Sequence, residues 1–277
     1  MNILITGISG FLGSHLAEKL SKEHSVVGLY HLNKSDLIAD ITCFDNLESI
    51  KNIPDVIIMC HAAVSSGITN VDKNTLFEVN VDFTKKILQK FLGVKMIYIS
   101  SVSVFGNKKE IIQENSFPDP QTDYAFSKLD AENEVKKNNN TSIIRFSSLY
   151  GNGMKENTLI PNYFNQALES QAIKVWGDGN RLQNYIHIDD AVNLIDKVLN
   201  YHSEIAFPVL GTHSKEYSNN EAAKIISTLT NARIEYINQD TSSSFQFDNT
   251  MTQEILNWQP KTDLEFGLKN YLEWKKK

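Results

Sequence analysis

The sequence predicts an α/β fold: a doubly wound parallel sheet with a smaller C-terminal α/β lobe. Three observations carry that expectation. A glycine cluster, TGISGFLG (6–13), separates the first apolar run from the first helical pattern. Three further runs, SVVGLY, DVIIMCHAA and KMIYISSVSVFG, are apolar and β-branched without strict alternation, as strands covered on both faces are. Between them lie segments of helical spacing, and alternating strands and helices build a parallel sheet.

In order along the chain, NILIT (2–6) is a short strand that stops at Gly7, and GSHLAEKL (13–20) places apolar residues at helical spacing. TLFEVNVDFTKKILQKFL (75–92) is helical and precedes the strand KMIYISSVSVFG. A helix runs from Tyr124 to about Lys137, a polar KKNNNTS loop follows, and SIIRFSSLYG (142–151) is a strand. Beyond Gly151 the rhythm changes. TLIPNYFNQALESQ reads as a helix, AIKVWGDGNRLQNYIHIDD as strand, turn and strand, and AVNLIDKVLNYH as a helix. The tail, 203–277, mixes short strands with two helical patches. With no repeat and no linker, the second half is a lobe packed on the first.

Composition narrows the function classes. A chain of 277 residues, 41% hydrophobic and 22% charged, buries a full core. A net charge of −6 gives no general reason to expect nucleic acid or anionic membrane as a partner. Cys43 and Cys60 are too few for a disulfide framework or a cysteine-rich metal site, and read as buried thiols. The N-terminus lacks a basic n-region, and no run approaches the ~18 apolar residues of a membrane span. A cytoplasmic location is expected.

The glycines are the first chemical signal. Gly7 suits a tight turn, Gly10 lets backbone approach a pyrophosphate, and Gly13 allows close helix-to-strand packing, while the helix start offers free N–H groups to the anion. This is the dinucleotide-binding turn of a Rossmann-type sheet. About 20 residues on, an NAD-binding fold carries an acid for the ribose hydroxyls. Here VVGLYHLNKS (26–35) offers Tyr30, His31, Asn33 and Lys34, with no acid before Asp36. His31 and Lys34 suit a 2′-phosphate, so NADP(H) is favoured and NAD(H) remains open.

Tyr-x-x-x-Lys occurs three times, at Tyr30/Lys34, Tyr124/Lys128 and Tyr271/Lys275. Such a pair shares a helix face, and the lysine's charge lowers the phenol's pKa. The first pair falls at a strand end. The third falls in YLEWKKK, which reads as a solvated surface. The middle pair, YAFSK, opens a helix just after SFPDPQTD and follows the strand end ISSVSVFG by about a loop's length, so Ser101 or its neighbours are expected to face Tyr124 across the crevice.

Together these stretches resemble the extended short-chain dehydrogenase/reductase family, whose members mostly modify nucleotide sugars. TGISGFLG resembles its TGxxGxxG turn and implies cofactor contacts from Gly7, Ser9, Gly10, Phe11, Leu12 and Gly13. DIT resembles its adenine cap (Asp40, Ile41), HAA the stretch lining the cofactor (His61, Ala62, Ala63), and VN its helical asparagine (Asn80). SSVSVFG resembles SSxxVYG and YAFSK resembles YxxSK, which implies Ser101, Tyr124 and Lys128 as the catalytic residues. By that resemblance Tyr124 exchanges a proton with a sugar oxygen, Ser101 hydrogen-bonds that oxygen, and Lys128 lowers the Tyr124 pKa and binds the nicotinamide ribose. RFSSLYGNG resembles RxxNxYGPG, and GDGNRLQNYIHIDD resembles GxGxxxRDFxxVxD. The implied division is a dinucleotide lobe, 1–150 with 184–202 returning to it, and a substrate lobe, 151–183 and 203–277. A homodimer through the helices 75–92 and 124–137 is a further implication.

Departures from the pattern sharpen the expectation. The Asp-Glu pair of the family's 4,6-dehydratases is replaced by Val102 and Ser103, and valine transfers no proton, which argues against dehydration. The signature's Arg-Asp is Gln183-Asn184, and Arg181, two residues earlier on an extended strand, faces the same side, as a substitute or as a surface residue. The asparagine of RxxNxYGPG is Ser148. Ser103, Ser148, Arg181 and Gln183 are therefore the candidate substrate contacts. The favoured activity is NADPH-dependent reduction of a 4-keto (deoxy)hexose on a nucleotide, in surface-polysaccharide synthesis. The alternatives are a nucleotide-sugar 4-epimerase with tightly held NAD and a non-catalytic dinucleotide sensor.

Overall fold

A computed structural model describes residues 1–30, 38, 40–65 and 70–277. The chain opens with β1 (Asn2–Thr6), α1 (Phe11–Leu20), β2 (Ser25–Leu29), β3 (Thr42–Phe44) and β4 (Val56–Met59). α2 (Lys73–Phe77) and α3 (Phe83–Lys90) are joined by a π-helical turn over Glu78–Asp82. β5 (Lys95–Ser101), α4 (Asp123–Val135) and β6 (Thr141–Phe146) complete the first half. α4 starts where it does because Thr122 caps it, accepting the Ala125 N–H at 3.2 Å, with Asp123 in the first turn favouring the helix dipole.

The second half holds β7 (Ser148–Tyr150), α5 (Leu159–Ser170), β8 (Ala172–Trp176), β9 (Leu182–Gln183), β10 (Tyr185–His187) and α6 (Ile188–Leu199). β11 (Val209–Gly211), β12 (Tyr217–Ser218), α7 (Asn219–Thr230), β13 (Arg233–Ile237), α8 (Thr250–Leu256) and α9 (Leu264–Lys275) follow. A reciprocal box between Ser218 and Glu221 fixes the start of α7.

Seven strands form one sheet in the order β11-β6-β5-β4-β1-β2-β3, each pair parallel. The order reverses direction between β1 and β4, and in such sheets the ligand crevice opens there, at the carboxyl ends of the strands. Alternating side chains explain the unalternating sequence. Ile3, Ile5, Ile58 and Ile97 face α1 and α6, while Leu4, Ile57, Met59 and Tyr98 face α3 and α4. Each fully buried Ile or Leu contributes roughly 1.5–3 kcal/mol, so both sheet faces demand apolar residues. A separate core gathers α5, α7, α9 and β8 around Phe164, Ile173, Ile226 and Leu268.

The structure corrects three local expectations. SIIRFSSLYG is two strands, because the chain turns at Ser147: β6 stays in the main sheet and β7 leaves to pair with β10. Residues 203–277 do not all belong to a second lobe: β11 is the main sheet's outer strand, and Leu256 and Trp258 join its core. The tail also carries three helices, not two, because α8 lies against β11 while α7 and α9 pack on each other.

Candidate active site

The glycine turn closes against β4. Gly7 adopts φ +66°, and a Cβ there would lie 2.7 Å from the His61 backbone N and Cα. A Cβ on Gly13 would drive into the Gly7 carbonyl oxygen. Gly10 is extended, with φ −76°, and caps α1 without a side chain, and no acid occupies the first turn. The amides of Phe11, Leu12 and Gly13 therefore point out of the helix end beside half-exposed Ser9, a fit for a pyrophosphate.

Past β4, Ala62 is exposed and Ala63 half-buried at the crevice. Asn80, buried in the π-turn, clasps Ala63 by both backbone atoms: it accepts the N–H at 2.9 Å and donates to the carbonyl at 3.0 Å. Its amide also donates to Ser127 Oγ at 2.9 Å, and Ser127 donates to the Tyr124 carbonyl at 2.8 Å. His61 is buried, with both ring nitrogens engaged: Nδ1 meets Thr6 Oγ1 at 2.6 Å and Nε2 meets Thr84 Oγ1 at 3.1 Å. The Thr84 hydroxyl spends its hydrogen on the Asn80 carbonyl at 2.8 Å, so Nε2 carries the imidazole proton and Nδ1 accepts from Thr6. His61 thus offers the crevice its backbone, not its ring. Burial, with the Lys128 charge second, pulls its pKa down to about 3. Asp40 is exposed and Ile41 half-buried against the core. His31 and Lys34 lie outside the described residues.

Ser101 ends β5 in register with Phe146, and its Oγ accepts the Ser103 N–H at 3.1 Å. Tyr124 opens α4 within hydrogen-bonding reach of Ser101. Lys128, one turn on, is buried, donates to the Ile99 carbonyl at 2.7 Å and stands 4.2 Å over the Tyr98 ring. Ser101 and Tyr124 come within reach of each other, and Lys128 stands one turn along the same helix, tied to the strand of Ser101. The electrostatics correct one expectation, because the Tyr124 phenol is pushed up to about 12, not down. Burial is the cause, and the Ser101 hydrogen bond offsets it only in part. Burial likewise lowers Lys128 to about 7, with the charge of Glu132 opposing. At neutral pH Tyr124 is a protonated phenol, and its ionisation requires further positive charge in the crevice, such as an oxidised nicotinamide.

Sequence reasoning missed what stands behind this triad. Glu132, fully buried, receives Arg145 through two bonds of 2.9 and 2.6 Å and accepts Ser100 Oγ at 2.6 Å. The available signals were the i, i+4 spacing from Lys128 to Glu132 and a charged residue inside an apolar strand run.

Ser148, Arg181 and Gln183 line one cavity of about 650 Å³, together with Lys174, Trp176 and Asp240. It adjoins the end of β5, since Ser148 lies two residues beyond Phe146, the register partner of Ser101. Arg181 is held by its Nε, which donates to the Ser243 carbonyl at 3.2 Å. Gln183 donates to Asn219 Oδ1 at 2.8 Å. Asn184 is buried and donates to the His213 carbonyl at 2.7 Å while accepting from the His213 N–H and Ser147 Oγ, both at 2.8 Å. An aspartate there would lose that donor and face Glu216. Ser103 is not part of the cavity lining. It sits beside Ser101 with a buried Oγ that has no partner among the described residues.

The other two Tyr-x-x-x-Lys pairs separate clearly. Tyr30 packs on the core, and its partner Lys34 lies outside the described residues. The third pair is a clamp rather than a solvated surface: Tyr271 is buried, and it and Lys275 hold Glu156 at 3.3 and 2.9 Å.

Comparison with known proteins gives the same picture from a second direction. A UDP-glucuronate 4-epimerase of Thermodesulfobacterium geofontis is 27% identical over 99% of this chain and 95% of its own length. The structure of UDP-glucuronic acid 4-epimerase from Bacillus cereus in complex with NAD superposes with a TM-score of 0.87 at 22% identity, covering 100% of this chain and 99% of that one. MoeE5 in complex with UDP-glucuronic acid and NAD gives 0.89 at 23%, with the same coverage. These likenesses establish the fold. The model of the NAD dependent epimerase/dehydratase family matches residues 3–208, from the first strand through the triad and past α6, and the chain is an enzyme belonging to that family.

Proposed function

We propose that the protein is a nucleotide-sugar 4-epimerase that keeps one NAD through its cycle. The observation that carries the reading is Ser101, Tyr124 and Lys128 gathered at the end of β5, with Val102 and Ser103 where a dehydrating acid pair would stand. The names and complexes of the similar proteins favour epimerisation with NAD over reduction with NADPH.

The chain's own residues divide the work. The first-turn amides of α1 hold the pyrophosphate of the cofactor, and Asn80 fixes the Ala62–Ala63 wall. Arg181 and Lys174 supply positive charge to the substrate diphosphate, and Ser148 supplies a hydroxyl near it. Bound in the crevice, NAD supplies the acceptor and then the donor of the C4 hydrogen. Tyr124 takes the proton of the 4-hydroxyl as the ketone forms and returns it when the alcohol reforms, while Ser101 steadies the oxygen between them. Lys128 carries charge beside the phenol.

The test begins with protein purified without added nucleotide, denatured, and its released dinucleotide identified by chromatography. Stoichiometric NAD, with interconversion of UDP-glucose or UDP-glucuronate and their 4-epimers and no net change in absorbance at 340 nm, is the expected result. An empty site that prefers NADPH and consumes it with a 4-keto sugar would replace this reading with the reductase. A Tyr124→Phe protein that keeps full biological activity would revive the sensor.

A further inference from the structure

We propose that the buried Glu132–Arg145 pair is the positioning element of the active site, clamping the strand that ends in Ser101 to the helix that carries Tyr124 and Lys128. The inference rests on reading those three residues as the reacting set.

One carboxylate touches every piece that has to be aligned. Glu132 lies one turn beyond Lys128 on α4, on the same face. Its Oε1 accepts Ser100 Oγ at 2.6 Å, and Ser100 is the chain neighbour of Ser101. Arg145 grips the carboxylate from β6, where it is the register partner of Ser100. The guanidinium also stacks 4.8 Å over the ring of Phe105, which closes the turn holding Val102 and Ser103. β5, β6, α4 and that turn are thus joined through two fully buried side chains.

Stability alone does not explain such a pair. Removing two charges from water costs about as much as their attraction returns, and an apolar pair of similar volume holds a fold equally well. Ala131 and Val135, on the same helix, pack in that apolar way. What the forked pair adds is geometry. Two parallel N–H···O bonds admit one arrangement, whereas apolar side chains tolerate sliding. Proton exchange at Tyr124 depends on placement within a fraction of an ångström. Glu132 also sets a negative charge one turn from Lys128, which favours its ammonium.

The test compares the NAD-bound protein with Glu132→Leu/Arg145→Met, which removes both charges, and with Ser100→Ala, which leaves the ion pair in place. The double variant is expected to unfold within a few degrees of the parent, yet to lose at least about tenfold in kcat with KM within about twofold. Ser100→Ala is expected to lose about threefold or more in kcat by the same split. Parental kcat in two folded variants would overturn the proposal, leaving the pair a purely structural contact. Should the double variant fail to fold, Ser100→Ala decides. Should the parent turn over no nucleotide sugar, the proposed function fails first. The positioning role is then read from NADH dissociation, expected to weaken about fivefold in the variants as Lys128 shifts, and an unchanged constant overturns it.

Discussion

The Lys128 ammonium donates to the Ile99 carbonyl at 2.7 Å, so the strand that presents Ser101 also holds the helix that presents Tyr124. That burial has a price in stability that depends on pH. The Lys128 pKa falls from 10.5 to about 7 in the folded protein. Below pH 7 both states are charged and the folded state bears the full desolvation penalty. Above 10.5 both are neutral and the penalty is gone. In the window between, the unfolded chain binds more protons, so stability rises with pH by up to about 1.4 kcal/mol per unit. Lys128→Met is therefore expected to be more stable than the parent at pH 6, with the two converging near pH 10. Denaturant midpoints at the two pH values check this, and a constant gap would contradict it.

His61 acts in the same direction at lower pH. Its pKa is about 3 in the fold against 6.5 unperturbed, because burial, and after it the Lys128 charge, disfavours the imidazolium. The stability it contributes is complete above pH 6.5 and is lost as pH falls toward 3, again up to about 1.4 kcal/mol per unit. His61→Gln keeps one donor and one acceptor without a titrating group. Its stability is expected to decline less steeply than the parent's between pH 6.5 and 4, measured by urea unfolding.

Much of this was legible in the sequence, and the rest fails for physical reasons. The strands facing two layers declare themselves because each buried face demands apolar residues, and Gly7 and Gly13 because a side chain there meets backbone. Tyr124 separates from Tyr271 once position along the sheet is weighed. What escaped is long-range polar pairing. Glu132 and Arg145 meet only after α4 folds back over β5 and β6, and the local signals, a spacing and a charge inside an apolar run, name no partner for either. The role of His61 escaped for the same reason, since Thr6 and Thr84 come from separate elements. The pKa of Tyr124 was misjudged because pair spacing reveals the charge but not the desolvation that outweighs it.

Tyr124→Phe retains the ring and removes the proton carrier. The variant is expected to bind NAD as the parent does and to lose about 10²–10⁴-fold in the reaction rate, the range for a positioned acid–base. Rapid mixing with UDP-glucose, following absorbance at 340 nm, measures it. A rate within threefold of the parent would remove Tyr124 from the chemistry.

The substrate grip separates two readings of Arg181. As a surface residue, its replacement changes nothing. As a diphosphate contact, its guanidinium faces the cavity that Gln183, Lys174 and Ser148 also line, anchored by Nε at the Ser243 carbonyl. A hydrogen bond to a charged group contributes ~1.5–3 kcal/mol, so Arg181→Ala is expected to raise KM for a nucleotide sugar about 10- to 100-fold with kcat nearly unchanged. The loss should shrink as salt rises, because the interaction is partly exposed. Gln183→Arg adds a second cation on the same side of the strand. It gives up the bond to Asn219, and is expected to lower KM in the Arg181→Ala background more than in the parent. Steady-state kinetics at low and at high salt decide it. A KM unmoved by Arg181→Ala but raised by Lys174→Ala would transfer the role to Lys174.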